Sequence, residues 1–493
     1  MKKNLLLLFT LVTSLASAQT LDNSYGYHGK TFSFLSSPDI AVTSSFLLAN
    51  NKLIVSGLQS NEGANRLAFL ASFTANGRPD INFGEEGVEN IHGLVSAFSA
   101  AAPINRIDVA SWNVSPDGFF QQLVVSRFGS LGHPDASFGT NGTVNYSAGG
   151  IYQYPTCIAV DALGIIYVGG VFNDQSNNIV ITRFKPDGSN DTGYKIMGAT
   201  MRTCKSLLLL KNDFVLAGFY DETTDGKYTA SVIKYNARGK IDASFADNGV
   251  LKLNNNLNAS GNQTIYLQRA DNGSFIVLYN NGNDMVFQKF NANGTPDNSF
   301  GTNSIASTHG AVSATFAVDD NGNILQPLTS FTIKRYTNSG VVDASFGNNG
   351  LLTTDFSVFG FDNTLGTFNQ IIPQPDGFYA TGAYADDVNY AVVSVKYKTG
   401  STTPVAADNT AIEKSVTANA DKIIIAPNPV HDVLDIHNLP VKAHLLIMNA
   451  QGTVVKLAES TSGSIKLNVE NLSSGTYYVE LRETNQKEKF IKF

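Results

Sequence analysis

Seven aspartates recur at one place in this chain: Asp22, Asp80, Asp135, Asp191, Asp242, Asp297 and Asp343. They lie 58, 55, 56, 51, 55 and 46 residues apart. Carboxylates gathered from separate units can hold a divalent cation or share acid–base work. An Asp in a turn can instead accept backbone N–H bonds, and turn chemistry alone explains why every copy has one. The structural reading is adopted for all seven. The densest acidic cluster, Asp319-Asp320-Asn321-Gly322-Asn323, lacks the downstream Glu of an EF-hand loop. No metal ion or cofactor is assigned.

Other chemistry-bearing residues are sparse. None of the seven histidines falls in a metal-binding spacing, and no nucleophile elbow or phosphate loop is present. Ser231-Val-Ile-Lys234 matches S-x-x-K but falls in a repeated strand, which explains it. No catalytic residue is assigned, although two Asp from different repeats could meet near a common axis. Trp112, the sole tryptophan, reads as a core residue. Cys157 and Cys204 occupy similar places in successive repeats. In an oxidising compartment they form a disulfide if their Cα atoms come within about 7 Å; otherwise they are two buried thiols.

The aspartates sit in a longer repeat: an aromatic, a Gly, the Asp, a second aromatic and usually a Gly. Copies are Phe73…Gly77…Asp80…Phe83-Gly84, Phe128…Gly132…Asp135…Phe138-Gly139 and Phe184…Gly188…Asp191…Tyr194. Next come Tyr235…Gly239…Asp242…Phe245, Phe290…Gly294…Asp297…Phe300-Gly301 and Tyr336…Gly340…Asp343…Phe346-Gly347. A truncated copy, Asp22-Asn-Ser-Tyr25-Gly26, opens the array, and Ala391 to Tyr397 ends it without an Asp. A basic residue usually precedes the first aromatic (Arg127, Arg183, Lys234, Lys289, Arg335, Lys396), with Ser72 as the exception. These basic side chains are expected to pair with a nearby acid or reach solvent.

Each period holds four short strand candidates separated by Asn-Gly and Asp-Gly turns, which supply the positive φ of tight hairpins. Four strands repeated seven times is the arithmetic of a seven-bladed β-propeller. The copies resemble the delta-60 repeat of bacterial secreted proteins over about residues 20 to 400. That resemblance implies a propeller-like all-β architecture and no single activity. Sequence leaves the blade phase open, since the last strand, Val392 to Tyr397, can also join the first blade and lock the ring.

The ends carry separate signals. Lys2 and Lys3, the apolar run Leu5 to Leu15 and Ala16-Ser17-Ala18 form a secretory signal peptide over residues 1–18, cleaved between Ala18 and Gln19. The apolar run is too short to span a bilayer, and no later segment qualifies. Residues 19–400 are the propeller, and 401–420, rich in Thr, Ala and Ser, read as a flexible linker. Residues 421–493 show short alternating strands with turns at Pro427-Asn428-Pro429, Gln451-Gly452 and Ser473-Ser474-Gly475. This pattern suggests a small immunoglobulin-like β-sandwich.

That last segment is similar to the type A C-terminal sorting domain of the type IX secretion system. The matching pieces are Pro427-Asn428-Pro429, Gly452, Gly475 with Tyr477, and Lys489 to Lys492. The resemblance implies a Bacteroidetes-type bacterium, Sec export, then passage across the outer membrane to the surface or medium. It also implies the type IX machinery as a partner.

Composition narrows the function. The 493 residues are 43% hydrophobic, enough for a sizeable core, but only 15% charged. The 43 Gly, 31 Phe and 19 Tyr favour turn-rich β structure. A net charge of -7 argues against nucleic acid. The reading is a non-catalytic binding or scaffold module for a glycan or a protein. The alternatives are a structural adhesin or matrix component, and a polysaccharide hydrolase or lyase with acids drawn from several blades.

Overall fold

The computed structural model describes residues 18–492, apart from 402–422 and short internal stretches. Those stretches are 36–39, 61–65, 86, 92–97, 103–104, 115–120, 149–152, 174–177, 199–201, 223–226, 254–256, 259–262, 282–283, 309–314, 360, 387–389, 427–429, 438, 441–442, 451–453, 461–462 and 482–485. Most of the signal segment, the linker, Pro427, Asn428, Pro429 and Gly452 therefore lie outside the described residues.

The described strands before the linker assemble into seven antiparallel sheets. Blade one is Ile40–Leu47, Leu53–Ser60, Arg66–Phe73 and Val88–Ile91. Blade two is Phe98–Ala102, Arg106–Val114, Gln121–Phe128 and Thr143–Tyr146. Blade three is Gln153–Val160, Ile166–Asn173, Asn178–Phe184 and Asn190–Gly198. Blades four, five and six begin at Thr203–Leu209, Ile265–Arg269 and Ala317–Val318. Blade seven is Gly366–Gln374, Gly377–Ala385 and Tyr390–Ser401.

The blade phase follows from blade seven. Its outer strand comes from the opposite end of the chain: Lys30–Phe34 pairs along Tyr390–Ser401, and Ala18–Leu21 extends the pairing. The short strand after each Gly-x-x-Gly is thus the outer strand of its blade. The aspartate motif lies inside a blade, between its third and outer strands.

The first strands of successive blades touch one another in order, and Gly366–Gln374 touches Ile40–Leu47 to complete the circle. The core is divided likewise into layers between neighbouring sheets. Ile54, Leu70, Phe83, Ile107, Val109 and Phe128 fill the layer between blades one and two. Tyr25, Val42, Val55, Phe69, Tyr379 and Val392 fill the one between blades seven and one. Middle strands are covered on both faces, so Leu53–Ser60 reads as a nearly continuous buried run rather than an alternating one. The molecule is a seven-bladed β-propeller.

The tail is a β-sandwich. One sheet holds Ile424–Ala426, Val433–His437 and Ser464–Asn468; the other holds Val454–Ser460, Ala443–Asn449, Gly475–Leu481 and Gln486–Lys492. Leu434, Ile436, Leu445, Ile447, Val479 and Phe490 are buried between them. Gly475 opens its strand, while Tyr477 is buried, stacks on Phe490 at 5.5 Å and donates its hydroxyl to the Ser473 carbonyl at 2.9 Å. Lys489 and Lys492 lie on the terminal strand, opposite Tyr478 and Gly475. No helix of the described residues is long and apolar enough to cross a membrane.

Candidate functional site

The seven motif aspartates are spread over seven blades, and six accept bonds within their own turns; Asp191 instead lies in the strand Asn190–Gly198, where the chain runs on without the turn, and among the described residues accepts only from Arg183. Asp22, Asp135, Asp242, Asp297 and Asp343 each accept a serine hydroxyl two residues on, at 2.6 Å. Each of the seven also faces a cation. Asp191 meets Arg183 at 2.6 Å, Asp242 meets Lys234 at 2.9 Å and Asp343 meets Arg335 at 2.7 Å. Asp297 meets Lys289 at 3.6 Å. Asp80, whose copy has Ser72 in the basic position, takes Lys52 at 2.5 Å, and Asp135 takes Arg106 at 2.9 Å. Asp22 takes Lys396 and Lys398 from the far end of the chain at 3.1 and 2.9 Å.

These contacts set the carboxyls. The Ser137 hydroxyl, ahead of the Arg106 charge, holds Asp135 below the usual carboxylate range. Ser244 and Lys234 do the same for Asp242. Burial alone would raise Asp22, but Ser24, Lys398 and Lys396 together outweigh it and hold it far below the usual range.

Blade two departs from the pattern. Arg127 turns to Asp108, with both nitrogen contacts at 2.6 and 2.9 Å, and the pair is fully buried. Its guanidinium still lies over the motif aromatic Phe138, 4.5 Å from the ring centre, as Arg335 lies over Phe346 at 4.5 Å. Where the basic residue of the motif is an arginine, it both stacks on the second aromatic and neutralises an acid.

That second aromatic packs under the next blade. A Cβ on Gly132 would stand 3.0 Å from the Phe83 ring, and one on Gly77 only 2.8 Å from the Tyr25 ring. Both glycines have positive φ, +80° and +77°. The Gly after the aromatic reaches the same neighbour: Gly84 N–H donates to the Leu131 carbonyl at 2.9 Å, and Gly139 N–H to that of Asp187 at 2.9 Å. The motif is a joint between blades.

A different set of residues meets at the axis. The first strands enclose a channel of about 900 Å³. Its lining is rich in hydroxyls and amides, including Thr43, Ser44, Thr156, Ser206, Asn369 and Gln370. Four of these strands carry a β-bulge, which places Thr43, Thr156, Lys205 and Asn369 off the regular ladder, and all four line the channel. Several polar groups lace neighbouring blades. Ser44 accepts the Ser99 N–H at 3.2 Å, Ser206 accepts that of Leu267 at 3.1 Å, and Gln370 donates to the Thr43 carbonyl at 3.2 Å.

Two of the bulged residues stand out. Asn369 Oδ1 is buried with no hydrogen-bond partner among the described residues. Lys205 is the only charged side chain among the described lining residues, and it forms no hydrogen bond or ion pair among the described residues. Burial pushes its ammonium pKa down. No carboxylate is among the described lining residues.

Cys157 lines this channel and Cys204 is buried behind it, their sulfurs 4.0 Å apart and unbonded. Their places differ by one bulge: Cys157 follows the irregularity in its strand, Cys204 precedes the one in its own. The equivalence read from the sequence is offset, yet the sulfurs meet across the blade boundary. Burial pushes the Cys204 thiol well up. Trp112 is half-buried and meets Tyr154 of the next blade edge-on at 5.2 Å. Asp319 accepts the N–H groups of Asn321 and Asn323 at 2.9 and 2.8 Å, so it caps its own hairpin.

The sequence reading singled out neither Lys205 nor Asn369. The only signal was indirect: a lysine and an asparagine in strands whose counterparts carry small or apolar residues.

Comparison with known proteins agrees with both parts of the chain. Residues 424–492 match the secretion system C-terminal sorting domain. Residues 164–194 and 273–300 match a β-propeller domain of unknown function. Among curated proteins, none matches the chain. Among solved structures, the chain is similar to PorZ, a surface component of the type IX secretion system of Porphyromonas gingivalis. The identity is 15%, over 93% of this chain and 60% of that one, with a TM-score of 0.43. The chain thus spans less than two thirds of the length of PorZ. It is also similar to the β-propeller domain of the Trilobed protease from Pyrococcus furiosus, at 6% identity over 76% of this chain and 99% of that one, with a TM-score of 0.42. A third is the acylaminoacyl peptidase of Pyrococcus horikoshii, at 8% identity, 81% and 57% coverage and a TM-score of 0.39.

Proposed function

For this β-propeller, exported through the type IX system to the cell surface by its sorting tail, we propose a binding role, with a glycan held at the central channel. The observation that carries this reading is the channel lining. A concave site rich in hydroxyls and amides, with a few polar groups left over, suits a ligand whose surface is itself hydroxyls. Asn369 Oδ1 offers an unused acceptor and Lys205 an unused donor. Hydrogen bonds to buried, otherwise unpaired groups discriminate strongly, because the wrong ligand leaves them unsatisfied. Hydrolysis would call for paired acids at the axis, and the motif aspartates are committed to turns and cations instead.

The test is a glycan array probed with the whole exported protein, followed by incubation of each hit to look for cleavage. Binding without turnover, weakened at least tenfold by Lys205→Met or Asn369→Ala, is expected. Turnover of a bound glycan would replace this reading with the hydrolase or lyase. Silence on every spot would favour the structural adhesin.

A further inference from the structure

We infer that Cys157 and Cys204 become a disulfide after export, a covalent clasp between the first strands of blades three and four at the channel wall. Four observations carry it. The sulfurs are already 4.0 Å apart with nothing between them. A disulfide needs about 2.05 Å, so the sulfurs have to close by about 2 Å.

Next, the space around the pair is kept open by a missing side chain. Gly169 is the cross-strand partner of Cys157, and a Cβ there would stand 2.6 Å from one sulfur and 2.7 Å from the other. Any larger residue would drive the sulfurs apart.

Third, the two strands are pinned beside the pair. The Thr156 hydroxyl donates to the Cys204 carbonyl across the blade boundary. The clasp would therefore lock an arrangement that the fold already makes.

Last, the compartment is right. The sorting tail directs the chain through the type IX system to the cell surface, and disulfides persist in oxidising surroundings outside the cytoplasm. Nothing in the glycan reading depends on this bond.

The chemistry is a thiol–disulfide exchange with an oxidised donor, either a periplasmic protein disulfide or a small-molecule one. Cys157 reaches the channel, so its thiolate attacks the donor disulfide, expels one donor thiol and leaves a mixed disulfide. Cys204 then attacks the Cys157 sulfur and releases the second donor thiol. Two protein S–H bonds become one S–S bond. The donor takes up both electrons, and both protons leave on its thiols.

The experiment is alkylation of the whole protein recovered after export, denatured and treated with a maleimide before and after reduction, and read by intact mass. No adduct before reduction and two after it are expected. Reduction should also lower the unfolding temperature by about 5 °C. Cys157→Ser should match the reduced protein and ignore reductant. A second arm takes dithiol protein produced in a reducing cytoplasm and incubates it with oxidised glutathione, with closure of the bond expected. Two adducts on exported protein without reduction would overturn the inference. So would a glutathione-treated protein that keeps both thiols or stops at a mixed disulfide.

Discussion

The same joint is built in two ways in this propeller. In blade six it is continuous: Arg335, at the end of the strand Thr332–Tyr336, runs directly into the turn that carries Asp343 and Phe346. At blade seven it is split between the chain ends, with Lys396 on one side and Asp22 and Tyr25 on the other. The bonds are nevertheless matched. Asp343 N–H donates to the Arg335 carbonyl at 3.0 Å, and Asp22 N–H to the Lys396 carbonyl at 2.8 Å. Gly350 O accepts from Arg335 N–H at 3.0 Å, and Gly29 O from Lys396 N–H at 2.9 Å. Tyr25 adds a hydroxyl bond to Ser394 at 2.9 Å. The joint's geometry thus comes from side chains and backbone bonds, not from the loop that usually connects them. Connectivity enters only as loop-closure entropy, which the split joint must meet from its contacts alone.

The largest effect should come from removing one half of the split joint. Deleting residues 19–34 leaves the edge of Tyr390–Ser401 unpaired and the Tyr25 pocket empty. Loss of one buried aromatic costs about 3–5 kcal/mol, so the whole strand should cost more than about 5. Denaturant unfolding should shift to a lower midpoint, and the blade seven amides should exchange first. Adding residues 19–34 back as a peptide should restore part of the loss. An unchanged midpoint would mean that the ring closes by another route.

Much of this joint was legible in the sequence. The Gly, Asp and aromatic recur because each has a steric or electrostatic task that few other residues perform. The phase was not legible, because Lys396-Tyr397 and Asp22 are each half of a motif and neither half says where its partner is. Pairing partners were also hidden: Asp80 uses Lys52 where Ser72 leaves a gap, and Arg127 prefers Asp108. These choices depend on which cation the neighbouring strand brings near. The channel was less legible still. Lys205 and Asn369 reach the axis through bulges, and a bulge has no periodic signature in a strand this short. In the tail, Val454–Ser460 went unread as a strand because Lys456 and Glu459 interrupt its apolar pattern.

A second test uses pH to separate the two joints. Asp22 and Asp343 are both held below the usual carboxylate range, Asp22 the further. An unfolded aspartate titrates near 3.9. A depressed native pKa gives stability that is complete above that value and is lost as pH falls through the native one. Lowering pH from 5 to 2 should therefore weaken both joints, the split one more steeply. Asp22→Asn should cost about 1–3 kcal/mol at pH 7 and flatten the acid limb. Asp343→Asn should flatten it less. Equal acid limbs in the two variants would show that the two lysines around Asp22 add nothing beyond a single partner.

The smallest effect tests the one copy that breaks the rule among the continuous joints ending in an aromatic and a turn. After Phe245 the chain has Ala246 where Phe83, Phe138, Phe300 and Phe346 are followed by Gly. Ala246 still adopts the left-handed conformation, φ +45°, and still donates its N–H to the Asn293 carbonyl of the next blade at 2.8 Å. Its methyl has to fit where a Cβ on Gly301 would stand 2.0 Å from the Ile305 carbonyl oxygen. The turn opens accordingly. Asp247 N–H reaches the Val250 carbonyl at 3.3 Å, against 2.8 Å for Thr302 to Ile305 and 2.7 Å for Asn348 to Leu351. Left-handed backbone costs a non-glycine residue about 1–2 kcal/mol, and the greater freedom of glycine in the unfolded chain returns part of that. Ala246→Gly should stabilise the propeller by about 0.5–1 kcal/mol, while Gly301→Ala should destabilise it by more than that. If Ala246→Gly lowers the unfolding midpoint, the alanine is packing favourably in its turn, and the joint tolerates a side chain there at no cost.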